Sequence, residues 1–331
     1  MSERKILVVA HAHREDTVDA AVRVASLLRS AGAIPVLSHD DREALAEIAP
    51  VLGEVAVLGT DIALADIDLA ISLGGDGTIL RAAELVRECP APVLGINMGH
   101  VGFLAEIERD AMDSAVQRAV DGDYAVEERL ALEVRVKDRA DRVVYSTWAL
   151  NEATVEKDSR ERMIEVVIEI DRRPLSTFGA DGVVIATPTG STAYNFSAGG
   201  PVIWPTVQAI AVVPLSAHAL FARPVVVGPE HTVAVEVLEG GAGASAVLWC
   251  DGRRSHPLPP GARVTVRRSP QPVRLARLHP ATFTDRLVRK FQLPVAGWRG
   301  PAPHDVTGVI DTIVPSSPDA GSRVAIPEAM E

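Results

Sequence analysis

Leu69-Ala70-Ile71-Ser72-Leu73-Gly74-Gly75-Asp76-Gly77-Thr78-Ile79-Leu80-Arg81-Ala82-Ala83-Glu84-Leu85 passes from an apolar strand through a tight glycine turn into an amphipathic helix. An apolar run of this length, closed by glycines, reads as a strand buried in a sheet. Gly74, Gly75 and Gly77 let the backbone bring its N–H groups close to a ligand. A helix starting just behind them, with Thr78 near its cap, favours an anionic phosphate. Asp76 sits oddly in that cradle, because a carboxylate repels phosphate unless it binds Mg²⁺ or takes a proton. The plainer alternative is a glycine turn capped by Asp.

Working outward, Lys5–Ala10, Ile34–Leu37, Val55–Leu58 and Val93–Ile96 read as further strands, with a helical pattern from Val18 to Ser30 that ends before Gly32. Strands alternating with helices predict a parallel α/β sheet over residues 1–112. From Asp113 the texture changes. Leu130–Val136, Val143–Leu150, Met163–Ile170, Gly182–Ala186, Val233–Val237 and Val247–Cys250 are strand-like with little helix between them. Residues 113–275 therefore read as an antiparallel β-sandwich. Val273–Leu278 is a further strand and Thr282–Phe291 a helix, and residues 276–296 are expected to return to the first domain. Pro and Gly accumulate through 297–331, which reads as a disordered tail. At 331 residues the chain exceeds one comfortable core, so two domains with a ligand cleft between them are expected.

Composition excludes several classes. A formal charge of −11 argues against a sequence-independent nucleic-acid binder, which needs surplus Lys and Arg. Cys89 and Cys250 form no disulfide framework or zinc spacing, which suits the cytoplasm. No signal peptide follows Met1, and the most apolar window, Gln208–Gly228, is broken by Pro214, His218, Arg223 and Pro224, so no bilayer span is expected.

Two more constellations carry chemistry. Asn151-Glu152 closes the strand-like Val143–Leu150, where an amide and a carboxylate can read a purine edge and ribose hydroxyls. Alone, such a pair is ordinary in surface turns. Gly179-Ala180-Asp181-Gly182 leads through a strand into Thr187-Pro188-Thr189-Gly190-Ser191-Thr192-Ala193-Tyr194-Asn195-Phe196-Ser197. Tyr194 can stack on a base while Thr192, Asn195 and Ser197 offer hydrogen bonds. A Ser/Thr-rich loop is by itself usually a solvated loop.

In order along the chain, the Gly-Gly-Asp-Gly-Thr turn, Gly95-Ile96-Asn97-Met98-Gly99 with Gly102-Phe103-Leu104, Asn151-Glu152, Asp181-Gly182 and Thr187–Tyr194 resemble the NAD kinase family, from the first strand to the helix near Phe291. The resemblance implies transfer of a phosphoryl group from ATP or polyphosphate to the 2′-hydroxyl of the adenosine ribose of NAD, with a divalent metal, Mg²⁺, as cofactor. It implies Asp76 as proton acceptor, with Gly77 and Arg81 beside it in the nucleotide site. Asn151 and Glu152 would contact the adenosine half, and Arg162, Asp181 and Thr192-Ala193-Tyr194-Asn195-Phe196-Ser197 would complete the site. It also implies a homodimer or homotetramer, and it assigns no protein ligand set for a resident metal. Val101 departs from the family's frequent Leu. Gly179 stands where relatives can carry a larger basic residue, so NADH is expected to be accepted as well as NAD.

The glycine turn is shared with diacylglycerol-type lipid kinases, which leave Asn151-Glu152 and the Thr187–Tyr194 run without a role. A nucleotide-sensing module without turnover has no use for Asp76. Among features set aside, His11, His13 and Arg14 read as a solvated loop that can alternatively hold a metal or donor phosphate. His218 reads as a core histidine, which the resemblance draws toward the substrate pocket. Gly240–Ala244 reads as a hairpin connection and Asp251-Gly252 as a turn. Asp40-Asp41 and Glu127-Glu128 read as solvated surface.

Overall fold

The structure, a computed structural model, describes residues 3–10, 14–48, 53–99, 102–160, 162–239, 245–279 and 282–295. His11, His13, Val101, the hairpin expected at 240–244 and the tail from 297 lie outside the described residues.

In chain order the first part runs β1 (Lys5–Ala10), α1 (Glu15–Ser30), β2 (Ile34–Leu37), α2 (His39–Ile48), β3 (Ala56–Val57), β4 (Leu69–Leu73), α3 (Asp76–Leu85), β5 (Val93–Asn97), β6 (Ile107–Glu108), α4 (Met112–Asp121) and β7 (Ala125–Arg129). Then come β8 (Leu132–Lys137), β9 (Val143–Ala149), β10 (Glu152–Lys157), β11 (Ile164–Ile170), β12 (Arg173–Ala180), β13 (Gly182–Ala186), α5 (Tyr194–Ser197), β14 (Ile210–Leu215), β15 (Val225–Val227), β16 (Val233–Val237), β17 (Ala246–Cys250), β18 (Arg254–Leu258) and β19 (Arg263–Arg268). β20 (Val273–Arg277) and α6 (Phe283–Phe291) follow.

The first sheet has the order β3-β2-β1-β4-β5-β20-β7, with β6 on β5. Strands β1 to β5 are parallel, and β4 and β5 are buried along their whole length. The order reverses between β1 and β4, so the carboxyl ends of these two strands open the crevice in which doubly wound sheets bind ligands. One face is covered by α1 and α4, which share a core with Ile71, Leu73 and Ile96. The other is covered by α3, whose Ile79 and Leu80 pack with Leu104, Ala131 and Leu150. Leu150 directly follows β9 of the antiparallel part of the chain, so this core joins the two parts.

Two six-stranded antiparallel sheets, β15-β14-β13-β10-β17-β18 and β12-β11-β16-β19-β8-β9, contribute to a common core that includes Val134, Val155, Val166, Ile185, Leu248 and Val264. The parallel sheet plus antiparallel sandwich is the expected fold class. The first layer is larger than the pattern suggested. Met112, Ala115, Val116 and Ala119 of α4 enter the core of α1, and β7 pairs antiparallel with β20, which in turn pairs parallel with β5. Helix α6 starts at the Thr282 N-cap, whose hydroxyl accepts from the Asp285 N–H, and its Phe283 and Phe291 flank Phe103 of the first layer.

Three surface or core readings change. Asp41 is buried, accepting the Ser38 hydroxyl at 2.8 Å, because Arg81 supplies a counter-charge. Glu127 pairs with Arg129 and Arg277 instead of facing water alone. His218 is exposed, its N–H donating to the Gly179 carbonyl at 2.9 Å, because the 216–224 loop runs over the rim of the sandwich.

Candidate active site

Strand β4 delivers the chain into the crevice, and Gly74 then takes φ +155°, where an added Cβ would strike the Thr78 side chain. Gly75 is the N-cap of α3 and has no capping side chain; the Thr78 N–H donates to the Gly75 carbonyl at 3.0 Å, so the N–H groups of Asp76 and Gly77 are the ones open to a ligand. Gly77 is exposed, with open space where a side chain would stand.

Asp76 is the first residue of α3. Its two carboxylate oxygens accept the N–H groups of Phe103 and Leu104, each at 2.9 Å. The preceding Gly102 makes this approach feasible, since a Cβ there would collide with Asp76 Oδ1. Each oxygen keeps further lone-pair capacity for a hydroxyl or a cation. One turn along, Arg81 bonds Asp41 at 2.7 Å and the Ala10 carbonyl at 3.2 Å, which fixes its guanidinium over the carboxyl end of β1.

Asn151 and Glu152 lie where β9 turns into β10, and both are buried. The turn is held by a residue that the sequence did not single out. Asp251 accepts the N–H of Asn151 at 2.7 Å and that of Leu150 at 3.0 Å, and its own N–H donates to the Glu152 carbonyl. Arg254 reaches Asp251 at 2.7 Å and also Glu84 of α3, so the glycine-turn helix and the Asn151 turn are linked by side chains as well as by the shared core. On the other side, the Thr187 hydroxyl donates to the Leu150 carbonyl at 2.5 Å and accepts the Gly190 N–H at 3.1 Å. Gly190 packs against the Asn151 carbonyl so closely that a Cβ has no room.

The Glu152 side chain is only 6% exposed. The Tyr194 N–H donates to its carboxyl, yet burial, followed by the nearby Asp251, pushes its pKa up to about 8. One of its oxygens has no hydrogen-bond partner among the described residues, which suits a group waiting for a ligand hydroxyl. Tyr194 is exposed at the mouth, and Glu152, Glu156 and Asp181 all act electrostatically on it. Asp181, at the β12–β13 corner, is bonded by Lys157 Nζ at 2.5 Å, which holds its carboxyl below the usual range.

The remaining residues of the run divide. Asn195 is buried and its amide donates to the carbonyls of Ser191 and Pro201, so it braces the loop. Phe196 stacks on Phe291 at 4.5 Å, Thr192 bonds back to Thr189, Ala193 is half-buried, and Ser197 is exposed. Arg162 is exposed on the β10–β11 connection. Asp251, Thr187 and Lys157 are the supporting residues that sequence reasoning missed as site members. Asp251-Gly252 carried a local signal, but only for a turn.

The crevice, the glycine turn and the buried polar turn facing the same core define a nucleotide-handling phosphotransferase. The sequence profile of the ATP-NAD kinase N-terminal domain matches residues 6–124, and that of the ATP-NAD kinase C-terminal domain matches residues 150–278. The NAD kinase of Leifsonia xyli subsp. xyli is 63% identical over 304 residues, 92% of this chain and 99% of that protein. NAD kinase 2 of Streptomyces coelicolor is 54% identical over 304 residues, covering 91% and 98%. Among solved structures, yeast NADH kinase complexed with NADH superposes with a TM-score of 0.80 at 22% identity over 88% of each chain, a likeness of fold. An NAD kinase from Archaeoglobus fulgidus in complex with ATP gives a TM-score of 0.63 at 25% identity, covering 87% of this chain and 98% of that one. The chain belongs to the NAD kinase family.

Proposed function

We propose that the chain moves the terminal phosphoryl group of ATP or polyphosphate onto the 2′-hydroxyl of the adenosine ribose of NAD, with Asp76 accepting the hydroxyl proton. The observation that carries this reading is the Asp76 carboxylate, held by two backbone amides at the head of α3, a helix start that no side chain caps. The ribose oxygen forms the new O–P bond as the donor's bridging O–P bond breaks, and the hydroxyl proton passes to Asp76. Such transfers run through a loose transition state, so orientation and charge neutralisation do most of the catalysis. The first-turn N–H groups, Gly77 and Arg81 receive the phosphates. Asn151 and Glu152 take the adenosine, because Glu152 is largely protonated at neutral pH and can both donate to and accept from ligand atoms. Arg162, Asp181 and the Thr192–Ser197 segment complete the nucleotide site.

Among the described residues no three His, Cys, Asp or Glu side chains converge to hold a metal ion. Mg²⁺ keeps several waters and binds through substrate phosphates and one or two carboxylates; metal binding is the alternative role for Asp76, in place of accepting the proton. When bound, the cation neutralises charge on the donor phosphates.

Asp76→Asn is expected to lower kcat by at least ~10²-fold in a protein with unchanged circular dichroism. Near-normal turnover in that variant overturns the assignment, and parallel assays with ATP and polyphosphate identify the donor. A Cβ at Gly179 would meet only Met163 at 3.7 Å, so the position has room that a larger side chain would fill. We read that room as tolerance of NADH, supported by comparable kcat/KM for NADH and NAD and removed by strong exclusion of NADH. Leu220 stands fully out of the 216–224 loop beside the half-exposed Phe221, apolar surface that supports a homo-oligomer. No helix of the described residues is long and apolar enough to cross a membrane.

A further inference from the structure

Behind the Phe103–Leu104 turn lies a second cavity of about 750 Å³, walled by β7, β20, the head of α6 and the turn at Trp204–Thr206. Its relation to Asp76 follows from peptide planarity. The Leu104 N–H faces Asp76, while the Phe103 carbonyl of the same trans peptide points the other way and accepts Arg286 at 2.6 Å. The next carbonyl, that of Leu104, accepts Arg277 at 3.0 Å. Arg129 joins these two in lining the cavity.

The three guanidiniums are short of counter-charge. Glu127 serves both Arg129, at 2.9 Å, and Arg277, at 2.6 Å, and Glu106 lies 3.5 Å from Arg277. Among the described residues no carboxylate comes within ion-pair distance of Arg286. Burial, then Arg277, lowers its pKa to about 10. Arg277 is only 12% exposed, and its Nη2 has no hydrogen-bond partner among the described residues. At the rim, Arg118 is neutralised by Asp123 at 2.6 Å and so adds nothing to the excess. A buried fork of N–H donors with surplus positive charge, in a cavity far larger than a water, selects an anion with several oxygens. Trp204 and Phe283 meet edge-on at 4.9 Å and, with Tyr124, give the same cavity an aromatic wall.

We propose that this cavity binds a phosphoryl anion through Arg129, Arg277 and Arg286, on the opposite side of the Phe103–Leu104 turn from Asp76. The phosphoryl group comes either as a free anion or as the tail of a nucleotide whose base lies on the aromatic wall. The site stands on its own geometry and does not require Asp76 to be the catalytic base.

Trp204, 44% exposed and part of the wall, supplies the readout. Titrating the full chain with pyrophosphate is expected to give a saturable fluorescence change that is absent from Trp204→Phe and persists with the nucleotide cleft filled by NADP. Arg286→Gln is expected to weaken the apparent affinity at least ~10-fold, the worth of a charge-assisted hydrogen bond. Ala125→Glu, which keeps every arginine contact and sets a carboxylate among the guanidiniums, is expected to do the same should Arg286→Gln not fold. Displacement of pyrophosphate by orthophosphate assigns the site to the free anion, and displacement by ADP alone assigns it to a nucleotide. The proposal is overturned by the lack of a Trp204 response at millimolar pyrophosphate, by its loss on adding NADP, or by unchanged affinity in the folded variants.

Discussion

Glu152 is an acid placed where its charged form is disfavoured. Its pKa rises from 4.5 to about 8 on folding, so between these values the folded chain holds a proton that the unfolded chain has released. Folded stability therefore falls as pH rises through that window and levels off above it. Glu152→Gln removes the titration. Its melting temperature is expected to match that of the parent at about pH 5 and to exceed it at about pH 9, and a constant difference across that range would contradict the assignment. The aspartates show what a sequence reveals at this scale. Asp76 was legible because an apolar strand, three glycines and an amphipathic helix surround it within a few positions. Asp251 was not, because the amides it holds belong to Leu150 and Asn151, a hundred residues earlier. Asp41 misled in the same way: two adjacent acids look like solvated surface until Arg81, forty positions on, arrives over one of them.

The strand-turn-helix around Gly74 positions its own residues, whereas the Asn151 turn depends on two other segments. Thr187 is the clamp on one side, a wholly buried hydroxyl that donates to the Leu150 carbonyl and accepts the Gly190 N–H. Thr187→Val keeps the shape and leaves both backbone groups unsatisfied, at a cost of about 1–3 kcal/mol. A lower urea midpoint together with a raised KM for NAD is the expected outcome, and an unchanged KM would show that the clamp does not shape the nucleotide site. Elements with strong periodicity, such as α1, α3 and α6, were legible. The sandwich strands β10, β12, β14, β15, β18 and β19 were not singled out; β10 opens on the polar Glu152, and β12 exposes Arg173 and Thr177. Their pairing partners, not their own pattern, make them strands.

At the scale of the molecule, the first sheet is closed from the far end of the chain. β20 lies between β5 and β7, so a fragment ending at Arg129 has every first-layer strand except the one that joins those two, and on that edge of β5 only Ile96 and Asn97 keep a partner, β6. A strand that is buried along its whole length in the full chain and loses its partner at Val93 invites pairing between chains. That fragment is expected to aggregate in light scattering, and a soluble monomer would count against the closure argument. A returning strand was legible at Val273, but its neighbour β7 was not, since Glu127 and Glu128 gave it the look of an exposed turn.

Order of synthesis and order in space thus run against each other. As the chain leaves the ribosome, every strand of both antiparallel sheets has emerged by Arg268, while the sheet that begins with residue 5 still lacks a member until residue 277 follows. A nascent chain therefore has its antiparallel sandwich available to fold before its first sheet can close. A chain that stops between Arg268 and Val273 would carry every sandwich strand but not the strand that closes the first sheet.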